Sequence, residues 1–219
     1  MNRRPIAGIY LAAGQSRRMG TDKLVLPVCG VPLGAIALRA AVQSELDSVT
    51  VVTNGRYLED WIEYASPEQS GRCKLNVVVC EEADRGMAYS LRAGIRSAIE
   101  SKAEAAVIML ADQPFVASGL INALIETYNS SREKRKPIHY AASSYEGVRR
   151  PPVLFAADVF PMLMKLEGDE GARRLLAEGG PLSGESIASS DPALFQDIDT
   201  LTQYEFLLAK HDAMPLFHG

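Results

Sequence analysis

Residues 14–23 combine groups that could bind a triphosphate. The segment contains two glycines, a hydroxyl at Ser16 and cations at Arg17, Arg18 and Lys23. Glycine lets the backbone approach an anion closely and turn its amide N–H groups toward it. Three cations within seven residues are unusual in a chain whose formal net charge is −4. The segment therefore predicts a phosphate-binding loop, with a solvated basic turn as the alternative.

The spacing of this loop excludes two common nucleotide-binding motifs. Five residues separate Gly14 from Gly20, and Thr21 follows. A P-loop has four residues between its glycines and Lys-Ser/Thr directly after the second one. The dinucleotide fingerprint needs glycines at its first, third and sixth positions, which this segment lacks. The loop must therefore belong to another type of nucleotide-binding protein.

Two aspartates are candidate ligands for a divalent metal. Asp112 follows the apolar run at residues 105–111, so it should lie at the C-terminal end of a buried strand, where open α/β sheets bind ligands. Asp199 is the second candidate, and Asp197 shares its side of an extended segment. Mg²⁺ typically takes few protein carboxylates together with phosphate oxygens and water. Each aspartate could instead cap a following helix.

Residues 86–94 predict the start of a helix near the nucleotide. Ser90 and Gly94 are four residues apart and therefore share one helix face. They are candidates for contacts with the base and sugar. Close packing of small residues against the sheet is the alternative.

Apolar, β-branched runs alternate with helical patterns along the first part of the chain. Strands are predicted at residues 5–11, 48–53, 75–80 and 105–111. Helices are predicted at residues 32–43, 56–64, 87–100 and 117–128. Four successive strand–helix units predict a Rossmann-like, three-layer α/β fold with a mostly parallel central sheet.

The rhythm changes after residue 128. A charged loop is predicted at residues 132–136, and a further helix at residues 200–210. We expect a single domain over residues 1–219. In this prediction residues 1–130 bind the nucleotide, and residues 131–219 elaborate the same domain with acceptor contacts.

Composition limits the classes of partner. The chain has 219 residues, 23 basic against 27 acidic, which argues against nucleic-acid binding through bulk positive charge. No apolar run is long enough to span a bilayer, and no signal-peptide pattern is present, so a cytoplasmic protein without membrane or nucleic-acid partners is expected. The three cysteines form no C-x-x-C pair and predict neither disulfides nor zinc.

The loop Leu-Ala-Ala-Gly-x-Ser-x-Arg-Met-Gly-x-x-Lys at residues 11–23 resembles the signature of molybdenum cofactor nucleotidyltransferases. Further resemblance lies in Gly-Met-Ala-Tyr-Ser-Leu-Arg-Ala-Gly at residues 86–94, Leu-Ala-Asp-Gln-Pro at 110–114, Gly-Asp-Glu-Gly-Ala-Arg at 168–173 and Asp-Ile-Asp-Thr at 197–200. The motifs at residues 110–114 and 168–173 are similar to those of the cytidylyltransferase-like branch of the family. The resemblance implies a nucleotide-diphospho-sugar transferase type of fold. It also implies Mg²⁺-dependent transfer of CMP from CTP to the phosphate of molybdopterin, with release of pyrophosphate. The product would serve a recipient molybdoenzyme, such as a hydroxylase of the xanthine dehydrogenase type.

The resemblance and the residue patterns together assign four sets of site residues. The catalytic cations are Arg18 and Lys23. The nucleotide-binding residues are Leu11, Ala12, Ala13, Gly14, Ser16, Arg17, Ser90 and Gly94. The Mg²⁺ ligands are Asp112 and Asp199. The acceptor-binding residues are Arg149, Arg150, Asp169 and Arg173. In the alternative, Asp169 is only a first-turn charge of a helix predicted from residue 168, with Arg173 pairing back to it, and the other two arginines are solvated at the surface.

One departure from the family pattern concerns the acceptor. Arg150 and Pro151 stand where the family usually has Gly-His before a proline, which is Pro152 here. Two alternatives therefore stay open. One is a nucleotidyltransferase for a sugar or alditol phosphate, and the other is a non-catalytic accessory protein that binds nucleotide or cofactor.

Ala13 predicts the choice of base. Its methyl group narrows the space beside the loop backbone, which should favour a pyrimidine over a purine. The resembling cytidylyl branch has Ala-Ala-Gly here, and the guanylyl branch has Ala-Gly-Gly. We therefore expect CTP to be preferred over GTP, unless Ala13 only packs under the sheet.

Overall fold

The computed structural model describes residues 4–14, 19–56, 59–65, 73–169, 171–177 and 179–211. Its strands are β1 Ile6–Ala12, β2 Pro27–Val28, β3 Val31–Pro32, β4 Ser48–Thr53, β5 Lys74–Val79, β6 Ala105–Leu110, β7 Tyr140–Tyr145, β8 Val148–Ala156 and β9 Gly184–Ala188. Its α-helices are α1 Leu33–Val42, α2 Glu59–Ile62, α3 Met87–Glu100, α4 Ser118–Glu133, α5 Phe160–Leu163 and α6 Leu201–His211.

Seven of these strands form one sheet in the order β5-β4-β1-β6-β8-β7-β9. Strand β1 pairs in parallel with β4 on one side and β6 on the other, with Leu11 opposite Leu110 and Ala12 opposite Thr53. Only β8 runs against its neighbours β6 and β7. The mostly parallel sheet of the prediction is confirmed, and the carboxyl ends of β1, β4 and β6 meet at one edge.

Helices cover both faces of the sheet and give the predicted three layers. Helices α1 and α4 pack on one face, where Tyr10 and Met109 are fully buried. Helices α3 and α5 pack on the other face, against Ile9 and Ile108. The alternation of side chains along β1 and β6 explains this division, because successive residues of a strand point to opposite faces. Apolar side chains on both faces are typical of a parallel sheet.

The C-terminal part of the chain completes the same sheet. A tight turn joins β7 to β8, with positive φ at both Glu146 (φ 49°) and Gly147 (φ 76°). Two such residues favour the hairpin turn whose twist matches that of its strands. Strand β8 lies between β6 and β7, and its Phe155 is fully buried in the shared core. The prediction of a single domain fold is confirmed.

Three predicted elements differ in extent from the observed ones. Helix α4 continues to Glu133, into the segment predicted as a charged loop, and Arg132 pairs there with Glu104. Within the described residues, the helix predicted at residues 56–64 is observed as α2 followed by a 3₁₀ turn at Glu63–Ala65. The helix predicted from residue 168 is instead a 3₁₀ helix at Gly171–Leu176, since positive φ at Gly171 (φ 52°) interrupts a regular start. None of the helices in the described ranges is long and apolar enough to cross a membrane.

Candidate active site

A cavity of about 480 Å³ opens at the carboxyl ends of β1 and β6. It is bordered by the segment after β1, the turn before α3, the end of β6 and the segment before α6. The lining residues are Leu11, Ala12, Ala13, Gly14, Lys23, Leu24, Ala83, Asp84, Gly86, Met87, Ser90, Leu110, Ala111, Asp112, Asp169 and Asp199. Nine of the predicted site residues are thus brought together.

Lys23 lies between the two predicted metal ligands. Its Nζ donates to Oδ2 of Asp112 at 2.8 Å and to Oδ1 of Asp199 at 2.7 Å. The Lys23 side chain is 9 % exposed, against 25 % for Asp112 and 42 % for Asp199. Burial alone lowers the pKa of Lys23, but the charges and hydrogen bonds of the two carboxylates outweigh burial and raise that pKa. Lys23 is therefore a charged ammonium held by two carboxylates.

A short turn brings Lys23 to this position. Residues Lys23–Val25 form a 3₁₀ turn, and Oδ1 of Asp22 accepts a hydrogen bond from the amide of Leu24 at 3.0 Å. Asp22 therefore caps the turn, which is the usual role of an aspartate at such a position. The Leu24 side chain is buried and anchors the turn to the core. The ammonium is consequently presented from a fixed backbone.

The two carboxylates are held at the site and do not cap helices. Helix α4 begins at Ser118, several residues beyond Asp112. At the start of α6, Oγ1 of Thr200 accepts from the amide of Gln203 at 3.3 Å, so Thr200 provides the cap, and the Asp199 carboxylate binds Lys23 instead. The capping alternative raised for both aspartates is therefore wrong.

A second pair of side chains ties the two carboxylate-bearing segments together. Nε2 of Gln113 donates to Oδ1 of Asp197 at 2.9 Å, and the amide of Ile198 donates to the carbonyl oxygen of Asp112 at 3.0 Å. Burial raises the pKa of Asp197, and the negative charge of Asp112 raises it further, although the Gln113 bond lowers it. Sequence reasoning assigned no role to Gln113, whose side chain is almost fully buried.

The start of α3 forms the opposite wall of the cavity. Oδ1 of Asp169 accepts from the amide of Met87 at 3.1 Å, and the carbonyl oxygen of Gly168 accepts from that of Ala88 at 2.9 Å. Gly86 has φ 127°, and a Cβ there would lie 2.6 Å from the Gly168 carbonyl carbon, so only glycine fits this contact. The buried Ser90 follows one turn later and faces the cavity.

Gly94 lies away from the cavity, so its expected contact with the nucleotide is not observed. A Cβ at Gly94 would overlap Cγ2 of Ile9 and approach Cγ2 of Val52 at 3.2 Å. The glycine therefore lets α3 pack closely on β1 and β4. This is the packing alternative stated for the residue, and it corrects the assignment.

The predicted acceptor arginines do not line the cavity either. Arg149 donates to the carbonyl oxygen of Leu176 and to Oγ of Ser186, and its guanidinium lies 5.4 Å from the ring centre of Tyr140. These contacts join β8 to the neighbouring segments. Arg150 and Arg173 are exposed. Ser16, Arg17 and Arg18 lie outside the described residues.

The donor set fits one divalent metal bound together with a phosphate substrate. Within the ranges that the structure describes, no three His, Cys, Asp or Glu side chains converge on one point. Asp112 and Asp199 do converge, and they already bind a cation, the ammonium of Lys23. Two carboxylates with open coordination positions are typical of Mg²⁺ sites that also use substrate phosphates.

Comparison with known proteins identifies the family. Residues 8–183 match the family model described as the MobA-like NTP transferase domain. The chain belongs to this family. It is 38 % identical to the "Purine catabolism protein PucB" of Bacillus subtilis over 92 % of this chain and 95 % of that protein. It is 33 % identical to the "Molybdenum cofactor guanylyltransferase" of Rhodobacter capsulatus over 70 % of this chain and 76 % of that one.

Solved structures share the fold of this chain. Rv0371c from Mycobacterium tuberculosis superposes with a TM-score of 0.74 at 26 % identity, covering 94 % of this chain and 98 % of that one. Another structure of Rv0371c, a complex with manganese, gives a TM-score of 0.68 at 23 % identity over the same shares. Because the matched family is that of an NTP transferase domain, this MobA-like protein is a nucleotidyltransferase, and the prediction of an enzyme is confirmed.

Proposed function

We propose that this enzyme transfers CMP from CTP to the phosphate of a molybdopterin-type acceptor and releases pyrophosphate. The Asp112–Lys23–Asp199 cluster in the cavity is the observation that carries the proposal. It places positive charge and two potential metal ligands where a triphosphate would enter beside Gly14. The resemblance of the motifs and the molybdenum cofactor guanylyltransferase from Rhodobacter capsulatus support the choice of acceptor.

The reaction is a direct transfer. A phosphate oxygen of the acceptor attacks the α-phosphorus of CTP and forms a new P–O bond. The bond from the α-phosphorus to the oxygen bridging it to the β-phosphorus breaks, and pyrophosphate leaves with the electron pair. Such transfer depends mainly on positioning and charge neutralisation, so a protein nucleophile is not needed.

The residues around the cavity divide this work. The backbone at Ala12, Ala13 and Gly14 borders the base and sugar, with Ser90 on the facing wall. Lys23 and Arg18 neutralise the triphosphate and the leaving pyrophosphate. Asp112 and Asp199 would hold Mg²⁺, which would supply positive charge to the phosphate oxygens. The manganese complex of Rv0371c supports a divalent metal in this family.

The acceptor enters from the side formed by the C-terminal part of the chain. Asp169 is the one proposed acceptor residue that lines the cavity. Its carboxylate fixes the loop at residues 168–169 against the start of α3. We assign the acceptor pocket to this side of the cavity, and not to Arg149, whose guanidinium contacts Leu176 and Ser186.

GTP is the second candidate nucleotide, because the Rhodobacter capsulatus relative is named as a guanylyltransferase. The two candidates differ in the base that must fit beside Ala13. The buried methyl group of Ala13 at the cavity wall supports CTP.

Pyrophosphate release tests the proposed function. The purified protein is incubated with each of the four ribonucleoside triphosphates, Mg²⁺ and either molybdopterin, the molybdenum cofactor or a panel of sugar and alditol phosphates. We expect release with CTP and the molybdopterin-type acceptors, and none without acceptor. Release only with a sugar or alditol phosphate would overturn the acceptor, and release only with GTP would overturn the nucleotide. Asp112→Asn is the control variant, in which release at limiting Mg²⁺ should be strongly reduced.

A further inference from the structure

The ammonium of Lys23 occupies the position that a metal bridging Asp112 and Asp199 would need. Lys23 hydrogen-bonds one oxygen of each carboxylate at 2.7–2.8 Å. A divalent metal bound by the same oxygens would lie about 2.0–2.1 Å from each. The ammonium and the metal would then be two cations within the space of one. They cannot share the carboxylate pair in this arrangement.

Lys23 cannot simply turn into solvent to admit the metal. Its side chain is 9 % exposed, and its backbone is fixed by the capped turn that begins at Asp22. A buried ammonium needs an anionic partner, since an unpaired buried charge is costly. A triphosphate entering the same cavity would be such a partner, because Lys23 and Gly14 both line it.

The charge of the cavity favours uptake of a second cation once Lys23 has moved. Among the described lining residues, Asp84, Asp112, Asp169 and Asp199 face a single cation, Lys23. Without nucleotide, Lys23 balances one of the two negative charges of the carboxylate pair. When a triphosphate draws Lys23 away, the pair is left with like charges and gains affinity for a metal.

We propose that Lys23 competes with the divalent metal for Asp112 and Asp199, so that tight metal binding requires a nucleotide to draw Lys23 onto its phosphates. This inference rests on the metal ligands of the proposed function. Lys23 then couples the two ligands, and the coupling is reciprocal, so metal and nucleotide each raise the affinity for the other. Lys23 would keep the empty enzyme from binding free metal.

Binding of Mn²⁺ without nucleotide tests the competition directly. The amount of bound Mn²⁺ is measured by electron paramagnetic resonance for the wild type and for Lys23→Met, which keeps the length of the side chain and removes its charge. We expect Lys23→Met to bind Mn²⁺ at least tenfold more tightly than the wild type. Lys74→Met, at an exposed position of β5, is the matched control and should bind as the wild type does.

A second variant covers the case in which Lys23→Met does not fold. Lys23→Gln is also neutral but keeps a donor for one carboxylate, and it should tighten Mn²⁺ binding in the same direction. Mn²⁺ should also raise the melting temperature of either variant more than that of the wild type. Equal Mn²⁺ affinity in the wild type and the neutral variant would overturn the competition.

Asp112→Asn separates this inference from the proposed function. It is combined with Lys23→Met, or with Lys23→Gln, and should abolish the gain in Mn²⁺ binding. If the gain persists, the metal does not bind at Asp112, and the metal site of the proposed function is wrong. A different result would leave the metal site intact. If the single variant Asp112→Asn binds Mn²⁺ more weakly than the wild type in the presence of CTP, but Lys23→Met and Lys23→Gln bind Mn²⁺ no more tightly than the wild type, only the competition is wrong.

Discussion

Gln113 donates a hydrogen bond of 2.9 Å from its Nε2 to Oδ1 of Asp197. Gln113 directly follows Asp112, and Asp197 lies two residues before Asp199. Together with the backbone bond from Ile198 to Asp112, it fixes the distance between the two carboxylate-bearing segments. The bond places a third carboxylate, Asp197, in a partly buried position near the negative charge of Asp112. The arrangement of the two segments therefore brings the negative charges of Asp197 and Asp112 close together, and their repulsion destabilises the folded state.

Asp197→Asn should stabilise the protein at neutral pH. The pKa of Asp197 is raised above 3.8 in the folded state, first by burial and then by Asp112. The folded state therefore binds this proton more readily than the unfolded state, and stability falls as pH rises through the raised pKa. Asparagine removes the charge but keeps an oxygen that accepts from Gln113.

Thermal unfolding across a pH series measures this effect. The melting temperature of Asp197→Asn should exceed that of the wild type at neutral pH, and the difference should disappear as pH falls below about 3.8. Glu185→Gln, at an exposed position of β9, is the control and should show no such pH-dependent gain. A lower melting temperature for Asp197→Asn at neutral pH would contradict the prediction.

Asp112→Asn should reduce turnover at limiting Mg²⁺ by at least about tenfold, which corresponds to ~1.4 kcal/mol of barrier. The change keeps the shape of the side chain but removes the charge that binds the metal. Asp84→Asn is the matched control, because Asp84 lines the same cavity and is assigned no metal. Steady-state rates over a Mg²⁺ series decide the matter. Equal losses in the two variants would show that the effect is one of overall cavity charge.

The sequence predicts the elements that depend on local patterns. Helix α3 has the predicted bounds. Strand β1 differs from its prediction by one residue at each end, and β6 differs by one residue at its C-terminal end. Apolar periodicity and small residues suffice for these, because each element buries a continuous face. The order of β8 and β7 in the sheet was not predictable in the same way, since their pairing depends on contacts between distant segments.

The state of Lys23 could not be predicted either. Its type and its place in the loop indicate a phosphate ligand, and it does line the cavity. Its two carboxylate partners, however, are 89 and 176 residues away along the chain. The parallel sheet brings Lys23 and Asp112, which follow β1 and β6, to one edge. The bonds from Ile198 to Asp112 and from Gln113 to Asp197 hold the Asp199 segment beside them. The role of Gly94 was ambiguous for a local reason. Its spacing of four residues from Ser90 is equally compatible with a face that binds the nucleotide and with a face that packs on the sheet.

Gly94→Ala should destabilise the fold without changing nucleotide affinity. The added methyl group would overlap Ile9, and overpacking of this kind costs about 1–3 kcal/mol. For a chain of this length each kcal/mol lowers the melting temperature by roughly 2–4 °C. The KM for the nucleotide should stay unchanged below the melting temperature, because the residue lies outside the cavity.

Gly119→Ala provides the matched control for Gly94. A Cβ at this exposed position in α4 would meet nothing within 4 Å. Alanine favours a helix over glycine by up to ~1 kcal/mol, so this variant should be slightly more stable than the wild type. A Gly94→Ala protein as stable as Gly119→Ala would refute the packing role, and a raised KM in Gly94→Ala would return the residue to the nucleotide site.

Ala13→Gly should weaken the preference for CTP over GTP. Ala13 is buried, follows β1 and borders the cavity, so its methyl group limits the space beside the loop backbone. A single methyl contact supplies discrimination of roughly 10–200-fold, and we expect the wild type to favour CTP within this range. Glycine removes the methyl group and should raise kcat/KM for GTP more than for CTP. Ala12→Gly, also at the cavity wall, is the matched control for added backbone freedom. Values of kcat/KM for both nucleotides in the wild type and the two variants distinguish a steric effect of the methyl group from added backbone freedom. An equal gain for GTP in both variants would indicate backbone freedom and would exclude a steric role of Ala13.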